Sequence, residues 1–596
     1  MKLPTLSELS TSRDVLDVFG GYNHNIRINE GEFYDMENLS STYYPVLAPR
    51  KQRGVFDDDV FFNIYGIIEK DGLCYVTESA GTLSFHMNGE EHNLGAVYNE
   101  HSRKQRTLIS MGAYVIIMPD KMYINTIDTK DKGRIEATYT SPEGTKVTFN
   151  LCKADGTEYV IDSISPDEPD TTTIANGYLW LDTSQTPNSL KQFAKLSNSW
   201  ASVATTYIRI GCTGIGSLFD QYDGVTISGV TAPSLAEDLN NTMVIYEKGD
   251  NYIVVVGILE EAAGLSQTDA ITVKRLMPEM DFMVESNNRL WGCHYGLNRD
   301  GKTVNELYAC ALGNFKNWNC FMGTSQDSYS VSLGTDGQFT GAISYLGQPL
   351  FFKENCLHIV YGSYPAEYQV QDTACRGVQK GSSQSLAMVN EVLYYKSRTG
   401  VCAYAGSLPT EVSSVLGEKS YSNAVACYHK GKYYISMKDN ETKEYVLFVC
   451  DTEKGLWHKE DNLQVLAFCP MDDEVYYVDN LNGAIRTLFG SGTKDTDPVK
   501  WMAETGIIGC TTPDKRYVSR ISVKLSIDIE ASVMLYIQYD SSGVWEPISS
   551  ITGHSLRTFT LPIRPKRCDH FKLRFEGEGN AKIYSISKIM EQGSDI

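Results

Sequence analysis

The feature that most constrains this sequence is a unit of short β-forming segments that recurs between about residues 60 and 490. Each unit has an apolar segment, a Gly, Asn or Asp turn, a second segment that ends in Tyr or Phe, and a polar return. Examples are Ile64-Tyr-Gly-Ile-Ile with Gly72-Leu-Cys-Tyr-Val, and Val389-Asn-Glu-Val-Leu-Tyr-Tyr with Gly400-Val-Cys-Ala-Tyr. Seven units recur at roughly 40 to 50 residues, the period of a four-stranded propeller blade. The repeat predicts a β-propeller of about six to eight blades, with seven preferred.

Helical periodicity is nearly absent, so the sequence predicts an all-β protein. The clearest helical candidate is the short segment that begins at Ser234, directly after Pro233. Two separate β-sandwiches are the alternative architecture, because they would supply strands at the same density without an even repeat.

Two further regions depart from the repeat. Residues 133–278 carry their own strands and turns and are predicted to form an inserted β-domain, which is thermodynamically mild because loop-closure cost grows logarithmically with length. Residues 496–596 alternate apolar and polar positions and are predicted to form a C-terminal β-sandwich. The propeller then occupies residues 59–132 and 279–495, and residues 1–58 form an N-terminal arm.

Composition excludes several classes of protein. Lys and Arg number 53 against 74 Asp and Glu, a net charge of −21, which argues against a duplex-DNA binder that depends on neutralising phosphates. Hydrophobic residues make up 42% of the chain, enough for large cores and too many for general disorder. The first residues lack the apolar core of a secretory signal, and the 14 cysteines are scattered without a C-x-x-C pair. We expect free, buried thiols made in a reducing compartment.

No motif predicts catalysis or metal binding. A phosphate loop, a G-x-S-x-G elbow and an H-E-x-x-H helix are all missing from the sequence. His86 and His92 are interpreted as surface turn residues, and the segment from Asp451 to Trp457 as a hairpin turn with Trp457 packed between blades. We therefore predict no enzyme activity, no catalytic residue, no metal and no cofactor. A pair of carboxylates acting as a glycosidase inside the propeller is a third, less favoured hypothesis.

Three stretches resemble the β-propeller structural proteins of tailed bacteriophages, including the tail nozzle and packaged-DNA stabilisation proteins of short-tailed phages. The first runs from Phe19 through Asn38 to Arg50 and Arg53. The second holds Arg289 and Trp291, followed by Asn314 and Trp318, and the third begins at Trp501. The insertion adds a phrase around Trp180 and Asp182 that is similar to small β-modules of phage tail and fibre proteins. The order of the motifs is more specific than any one of them.

The resemblance implies a non-enzymatic virion protein, made in the bacterial cytoplasm, that forms a ring in the tail or neck. Such a ring continues the portal channel, retains packaged DNA and conducts it at ejection. The implied partners are further copies in a homohexamer, the portal or adaptor and other tail proteins, and phage DNA that passes without sequence-specific contacts. The residues expected to be structural or assembly positions are Asn38, Arg50, Arg53, Arg289, Trp291, Asn314, Trp318, Trp180, Asp182, Trp457 and Trp501. The alternative function is a receptor-binding or peripheral fibre protein that grips glycan on the host surface.

Overall fold

The computed structural model describes residues 11–56, 63–232, 236–259, 263–494, 497–509, 516–564 and 566–592. It confirms the predicted fold class: an all-β chain with a β-propeller, an inserted β-domain and a C-terminal β-sandwich. Within these residues the one α-helix is Ala236–Leu239, inside the predicted helical segment. The short 3-10 helices are Ser41–Tyr43, Asn99–His101, Ser383–Ser385 and Ser414–Leu416. Across the same ranges, we find no helix with the length and apolar character needed to cross a bilayer.

Seven antiparallel sheets of the described chain correspond to the recurring unit, and we call them blades 1 to 7 in chain order. Their strands are Ile64–Glu69, Leu73–Ser79, Thr82–Met87 and Glu90–Ala96 (blade 1); Thr107–Met111, Tyr114–Met118, Met122–Asn125 and Lys132–Arg134 (blade 2); Phe282–Ser286, Arg289–Leu297, Thr303–Ala309 and Tyr329–Ser332 (blade 3); Phe339–Tyr345, Gln348–Lys353, Cys356–Tyr361 and Gln369–Ala374 (blade 4); Ala387–Val389, Val392–Lys396, Val401–Tyr404 and Thr410–Glu411 (blade 5); Tyr421–His429, Lys432–Asp439, Tyr445–Asp451 and Leu456–Lys459 (blade 6); and Val465–Met471, Glu474–Asp479, Ile485–Thr487, Gly54–Val55 and Thr493–Lys494 (blade 7).

Blade 1 shows why such sequences form these sheets. Along Leu73–Ser79 burial alternates, with Cys74 and Val76 fully buried, because successive side chains point to opposite faces and one face is buried more deeply. Asn88 and Gly89 join the last two strands with φ values of 52° and 80°. Positive φ at both positions is typical of the tight turns that match strand twist.

The chain divides into two compact units. Unit 1 comprises Met1–Leu108, Phe352–Leu357 and Thr373–Ile596, and unit 2 comprises Ile109–Phe351 and His358–Asp372. The boundaries between these units lie within blades 2 and 4. The boundaries predicted from the sequence lie elsewhere, between the propeller, the insertion and the sandwich. Unit 2 therefore holds the inserted domain together with blade 3 and most of blades 2 and 4.

Apolar clusters join successive blades inside each unit. In unit 1, one cluster joins blades 6 and 7 through residues such as Tyr434 and Tyr477, and another joins blades 7 and 1 through Ile67 and Val478. In unit 2, comparable clusters join blade 2 to blade 3 and blade 3 to blade 4. Burial of these faces is the main favourable term in holding neighbouring sheets together.

Blade 7 is completed by a strand from the other end of the chain. Gly54 and Val55 pair antiparallel with Thr487 and Arg486, so the N-terminal segment supplies the fourth strand of the last blade. This exchange removes an edge that the blade would otherwise expose.

The inserted domain contains three sheets. Two of them, with their loops, supply most of the buried apolar residues of its core. Their strands are Ala137–Thr140, Gly224–Ser228, Thr242–Val244 and Thr272–Arg275, and Val147–Cys152, Tyr207–Gly211, Glu247–Gly249, Tyr252–Val256 and Gly264–Gln267. The third, smaller sheet has Ser163–Ser165, Leu179–Asp182, Ser189–Ala194 and Ser199–Ser202.

The C-terminal domain is built around one 24-residue strand, Arg516–Tyr539. Its first half pairs with Ala581–Gln592 and its second half with Phe571–Glu578, so the sheet folds into two layers over one core. The remaining strands of this sheet are Lys500–Thr505, Glu546–Thr560, Arg567–Cys568, Thr11–Leu16, Gly21–Tyr22 and Glu32–Glu37.

Strands of the predicted N-terminal arm belong to the C-terminal sheet. Thr11–Leu16 pairs with Ala581–Gln592, and Glu32–Glu37 pairs with Lys500–Thr505. The small sheet of Leu39–Ser40 and Ala48–Pro49 follows. The arm could not be assigned from its own sequence because its partner strands lie at the opposite end of the chain.

A substitution tests the contribution of the completing strand. A Cβ on Gly54 would lie 2.4 Å from Thr487 Oγ1 and 2.5 Å from the Ser491 carbonyl oxygen, so the strand would have to move away from blade 7. Gly54→Ala should lower the free energy of unfolding by about 1–3 kcal/mol, as overpacking does, measured by urea unfolding. Gly334→Ala is the control because nothing lies within 4 Å of its Cβ position. Equal stability of the two variants would contradict the pairing.

Candidate functional site

Three residues of the N-terminal motif converge on a buried acidic pair. Arg53 Nη2 donates to Glu460 Oε2 at 2.6 Å and to Asp461 Oδ2 at 3.0 Å. Arg50 donates from Nη2 to the same Asp461 oxygen at 3.0 Å and from Nε to Asn38 Oδ1 at 2.7 Å. We call these five residues the arginine cluster. The sequence motif identified its arginines and asparagine, but not the acids, which lie about 410 residues further along the chain.

The cluster forms where blades 6 and 7 come together in unit 1. Arg53 directly precedes the strand Gly54–Val55 of blade 7, and its Nη1 donates to the Leu488 carbonyl at 3.1 Å. Glu460 and Asp461 directly follow the last strand of blade 6. The cluster is therefore the polar counterpart of the apolar contact between these blades.

Asn38 extends the cluster to the C-terminal domain. Its φ of 58° is left-handed, a conformation that Asn adopts more readily than most residues. Its Nδ2 donates to the Lys500 carbonyl at 2.8 Å, at the start of a strand of the C-terminal sheet. One asparagine thus links the arginines of the propeller to the sandwich.

Burial and charge act in opposite directions on the pKa values in the cluster. Burial lowers the pKa of Arg53, but the carboxylates of Asp461 and Glu460 outweigh this effect and hold it above its usual value. Burial raises the pKa of Asp461, but the charges of Arg53 and Arg50 hold it below its usual value. The pKa of Arg50 is lowered by burial and by the neighbouring Arg53. Arg53 and Asp461 therefore stabilise each other's charged forms within a structural ion network.

Trp457 is buried directly after the turn of the hairpin that begins at Asp451. Asp451 closes the preceding hairpin by accepting from Lys454 N at 3.3 Å and from Ser41 Oγ at 2.6 Å. The Trp457 indole is buried and donates from Nε1 to the Val412 carbonyl at 2.9 Å, which joins blade 6 to the segment after blade 5. Both residues have structural roles in unit 1.

The motif residues of blade 3 are also internal. The Arg289 guanidinium is 1% exposed and donates to the carbonyls of Cys310, Ser325 and Asp327. Trp291 packs against Tyr329 and Tyr368, with ring centroids 6.0 Å and 5.0 Å away.

Asn314 and Trp318 shape the loop that follows. Asn314 accepts from Lys316 N through Oδ1 at 3.1 Å, and Trp318 Nε1 donates to the Phe315 carbonyl at 2.8 Å. Trp318 is buried in the cluster that joins blades 2 and 3.

Trp180, Asp182 and Trp501 complete the predicted set. Asp182 is buried, accepts from Ser184 and pairs with Lys191 at 2.7 Å, while the Lys191 ammonium lies 4.8 Å from the centroid of a Trp180 ring. Trp501 Nε1 donates to the Gly579 carbonyl at 3.1 Å in the C-terminal domain. The predicted residues thus occupy several separate structural positions: Asn38, Arg50 and Arg53 come together in the arginine cluster, and Trp180 and Asp182 share a contact with Lys191.

Two buried ion pairs were not predicted from the sequence. Arg106 pairs with Glu78 at 3.0 Å, and Arg275 pairs with Asp223 at 2.6 Å. Burial raises the pKa of Asp223 despite the neighbouring guanidinium. The available signal was an arginine next to apolar strand residues, which indicates a buried partner but does not say which acid supplies it.

The two histidines interpreted as surface turn residues lie on paired strands instead. His86 pairs with Glu91 and is buried, stacks on Tyr75 with centroids 4.7 Å apart, and its Nε2 lies 2.8 Å from Thr77 Oγ1. The interpretation was wrong because His86 and His92 belong to the strands on either side of the Asn88-Gly89 turn, not to the turn itself.

The described residues contain no cluster of three or more His, Cys, Asp or Glu side chains arranged to hold a metal ion. The first strands of blades 1, 3, 4, 5, 6 and 7 each lie against the first strand of a neighbouring blade in the same unit. Among the seven first strands, Glu69 of blade 1 and Glu285 of blade 3 are the only carboxylates within the described chain. These strands therefore provide few groups from which a pair of catalytic carboxylates could be assembled.

Comparisons with known proteins give fold-level similarity at most. No family model and no curated protein matches this sequence. A sialidase from Trypanosoma rangeli is similar at 9% identity over 97% of this chain and 96% of that chain, with a TM-score of 0.22. An exo-beta-1,3-galactanase from Phanerochaete chrysosporium, solved with beta-1,3-galactotriose, is similar at 9% identity over 51% and 94% of the two chains, with a TM-score of 0.21. These scores carry no argument about activity.

The arginine cluster yields a stability prediction. Arg53→Met leaves Glu460 and Asp461 buried without their main cation, so it should lower the free energy of unfolding by about 3–5 kcal/mol. The control is Arg376→Met, because the Arg376–Glu411 pair is half-exposed and such pairs contribute about 1 kcal/mol or less. Chemical unfolding of both variants at neutral pH measures the difference, and similar losses would contradict a special role for the cluster.

His458, on the last strand of blade 6, yields a pH prediction. Burial lowers its pKa to about 3, against about 6.5 in an unfolded chain. As the pH falls below about 6.5 the unfolded chain takes up a proton that the folded chain refuses, so stability is lost between about pH 6.5 and 3. His458→Leu should reduce the fall in unfolding free energy between pH 7 and pH 5 by about 2 kcal/mol.

The exposed His554 provides the control for this measurement. His554→Leu should leave the fall between the two pH values unchanged. If His458→Leu also leaves it unchanged, His458 does not carry the pH dependence.

Proposed function

We propose that this protein is a structural component of a tailed bacteriophage virion, forming a homohexameric ring in the tail or neck that continues the portal channel. The observation that carries the proposal is the internal role of the motif by which the sequence resembles those proteins. Asn38, Arg50 and Arg53 join two blades and the C-terminal domain, as expected of a rigid building element. The ring retains the packaged DNA and conducts it at ejection.

The charge of the chain supports this role. A net charge of −21 disfavours adhesion of the phosphate backbone to a channel wall, so DNA would slide past it. We propose no enzymatic step. In support of this, four carboxylates of low exposure, Glu78, Asp223, Glu460 and Asp461, are paired with arginines.

A second candidate, a receptor-binding tail protein, is favoured by one feature of the inserted domain. Trp200 is half-buried on the edge strand Ser199–Ser202, and Leu196 in the adjoining turn is fully exposed. Aromatic and apolar groups in such positions are typical of binding surfaces.

Electron microscopy of the purified full chain tests the proposal. We expect rings of sixfold symmetry with a central hole, and a mass in solution six times that of the 66.5 kDa chain. A stable monomer at high concentration would contradict the ring, and a trimer would favour the receptor-binding function. A basic channel wall would contradict the proposed passage of DNA.

A further inference from the structure

A cleft beside the arginine cluster has no part in the function proposed above. It lies within unit 1, has a volume of about 480 Å³, and is bounded by the N-terminal segment, the end of blade 7 and loops of the C-terminal domain. This volume falls within the range of small-molecule sites. Its polar and aromatic lining residues include Tyr43, Arg50, Lys51, Gln52 and Phe489.

Cations and aromatic rings alternate around the cleft. Lys51 is exposed, and its Nζ lies 5.7 Å from the centroid of the Phe489 ring. Lys582 Nζ lies 3.7 Å from the centroid of the Tyr43 ring, which is 48% exposed. Among the described residues, the Lys51 ammonium forms no ion pair or hydrogen bond, so it is available to an anion.

Arg50 adds donors of fixed geometry. Three of the N–H groups of its guanidinium are used, by Asn38 Oδ1, the Lys51 carbonyl and Asp461 Oδ2. A guanidinium has five such groups, so two remain. Asp461 is paired with both arginines of the cluster, and within the described residues it forms no ion pair with Lys51.

We propose that this cleft binds a nucleotide, with its phosphate on Arg50 and Lys51 and its base against the exposed ring of Tyr43. Guanidinium and ammonium groups are preferred partners of phosphate, and aromatic side chains beside a basic groove are the usual platform for unpaired bases. A free nucleotide and a nucleotide of a single strand share this chemistry. The proposal does not depend on the hexameric ring.

Fluorescence anisotropy of a labelled oligothymidylate titrated with the full chain tests the proposal. Lys51→Glu should weaken binding about tenfold or more, because it replaces a phosphate-facing cation by an anion. Tyr43→Ala should weaken it about fivefold or more through loss of base stacking. Lys104→Glu is the matched control, since Lys104 is exposed, lies outside the cleft and should change affinity less than about twofold.

Competition by adenosine monophosphate and by inorganic phosphate shows whether the ligand is a free nucleotide or part of a nucleic-acid strand. Displacement by the mononucleotide at similar concentration identifies a free nucleotide as ligand, and displacement only by oligonucleotide identifies a nucleic-acid strand. Equal weakening by Lys51→Glu and Lys104→Glu, displacement by phosphate as effective as by the mononucleotide, or no binding by a folded wild-type chain would overturn the proposal. Unfolding midpoints of all variants confirm that each is folded.

Discussion

The structure of unit 1 depends on one buried cation. Arg53 lies away from water, where an unpaired guanidinium would be very costly, and so it requires the two carboxylates that follow blade 6. Its neighbour Gly54 begins the strand that completes blade 7. Pairing of the strand Gly54–Val55 and neutralisation of the Arg53 charge therefore occur together. Neither is complete until the first and last segments of the propeller sequence are in contact.

Folding of unit 1 requires strands from opposite ends of the sequence to pair. The N-terminal strands Thr11–Leu16 and Glu32–Glu37 pair with strands near the C-terminus. Contacts of such high sequence separation form late, because loop-closure entropy opposes them until many other contacts are in place. In return, strands from the N-terminal and C-terminal parts of the described chain are held in one sheet.

In unit 2, ion pairs hold the two segments that connect the inserted domain to the propeller blades. Lys121 of the turn within blade 2 lies 3.1 Å from both Glu136 and Glu279, on the segments by which the chain enters and leaves the insertion. Arg299 contacts the same two acids at 2.8 Å and 2.6 Å. Both strand connections are thus held at their base, so a long insertion does not loosen the sheet that carries it.

Periodicity along the chain determined much of this protein by itself. The recurring apolar–turn–aromatic unit specified the blades, and the change to strict alternation after residue 496 specified the sandwich, because strand patterns are local. The motif singled out Asn38, Arg50 and Arg53, which the fold brings together, but it did not predict their acidic partners. The ion pairs of Arg106 and Arg275 and the burial of His86 were not predicted either. Nor could the sequence show that the predicted arm supplies strands to blade 7 and to the C-terminal sheet. Those features pair residues far apart in the chain, and only the tertiary fold determines which distant carboxylate or strand edge comes within hydrogen-bonding distance.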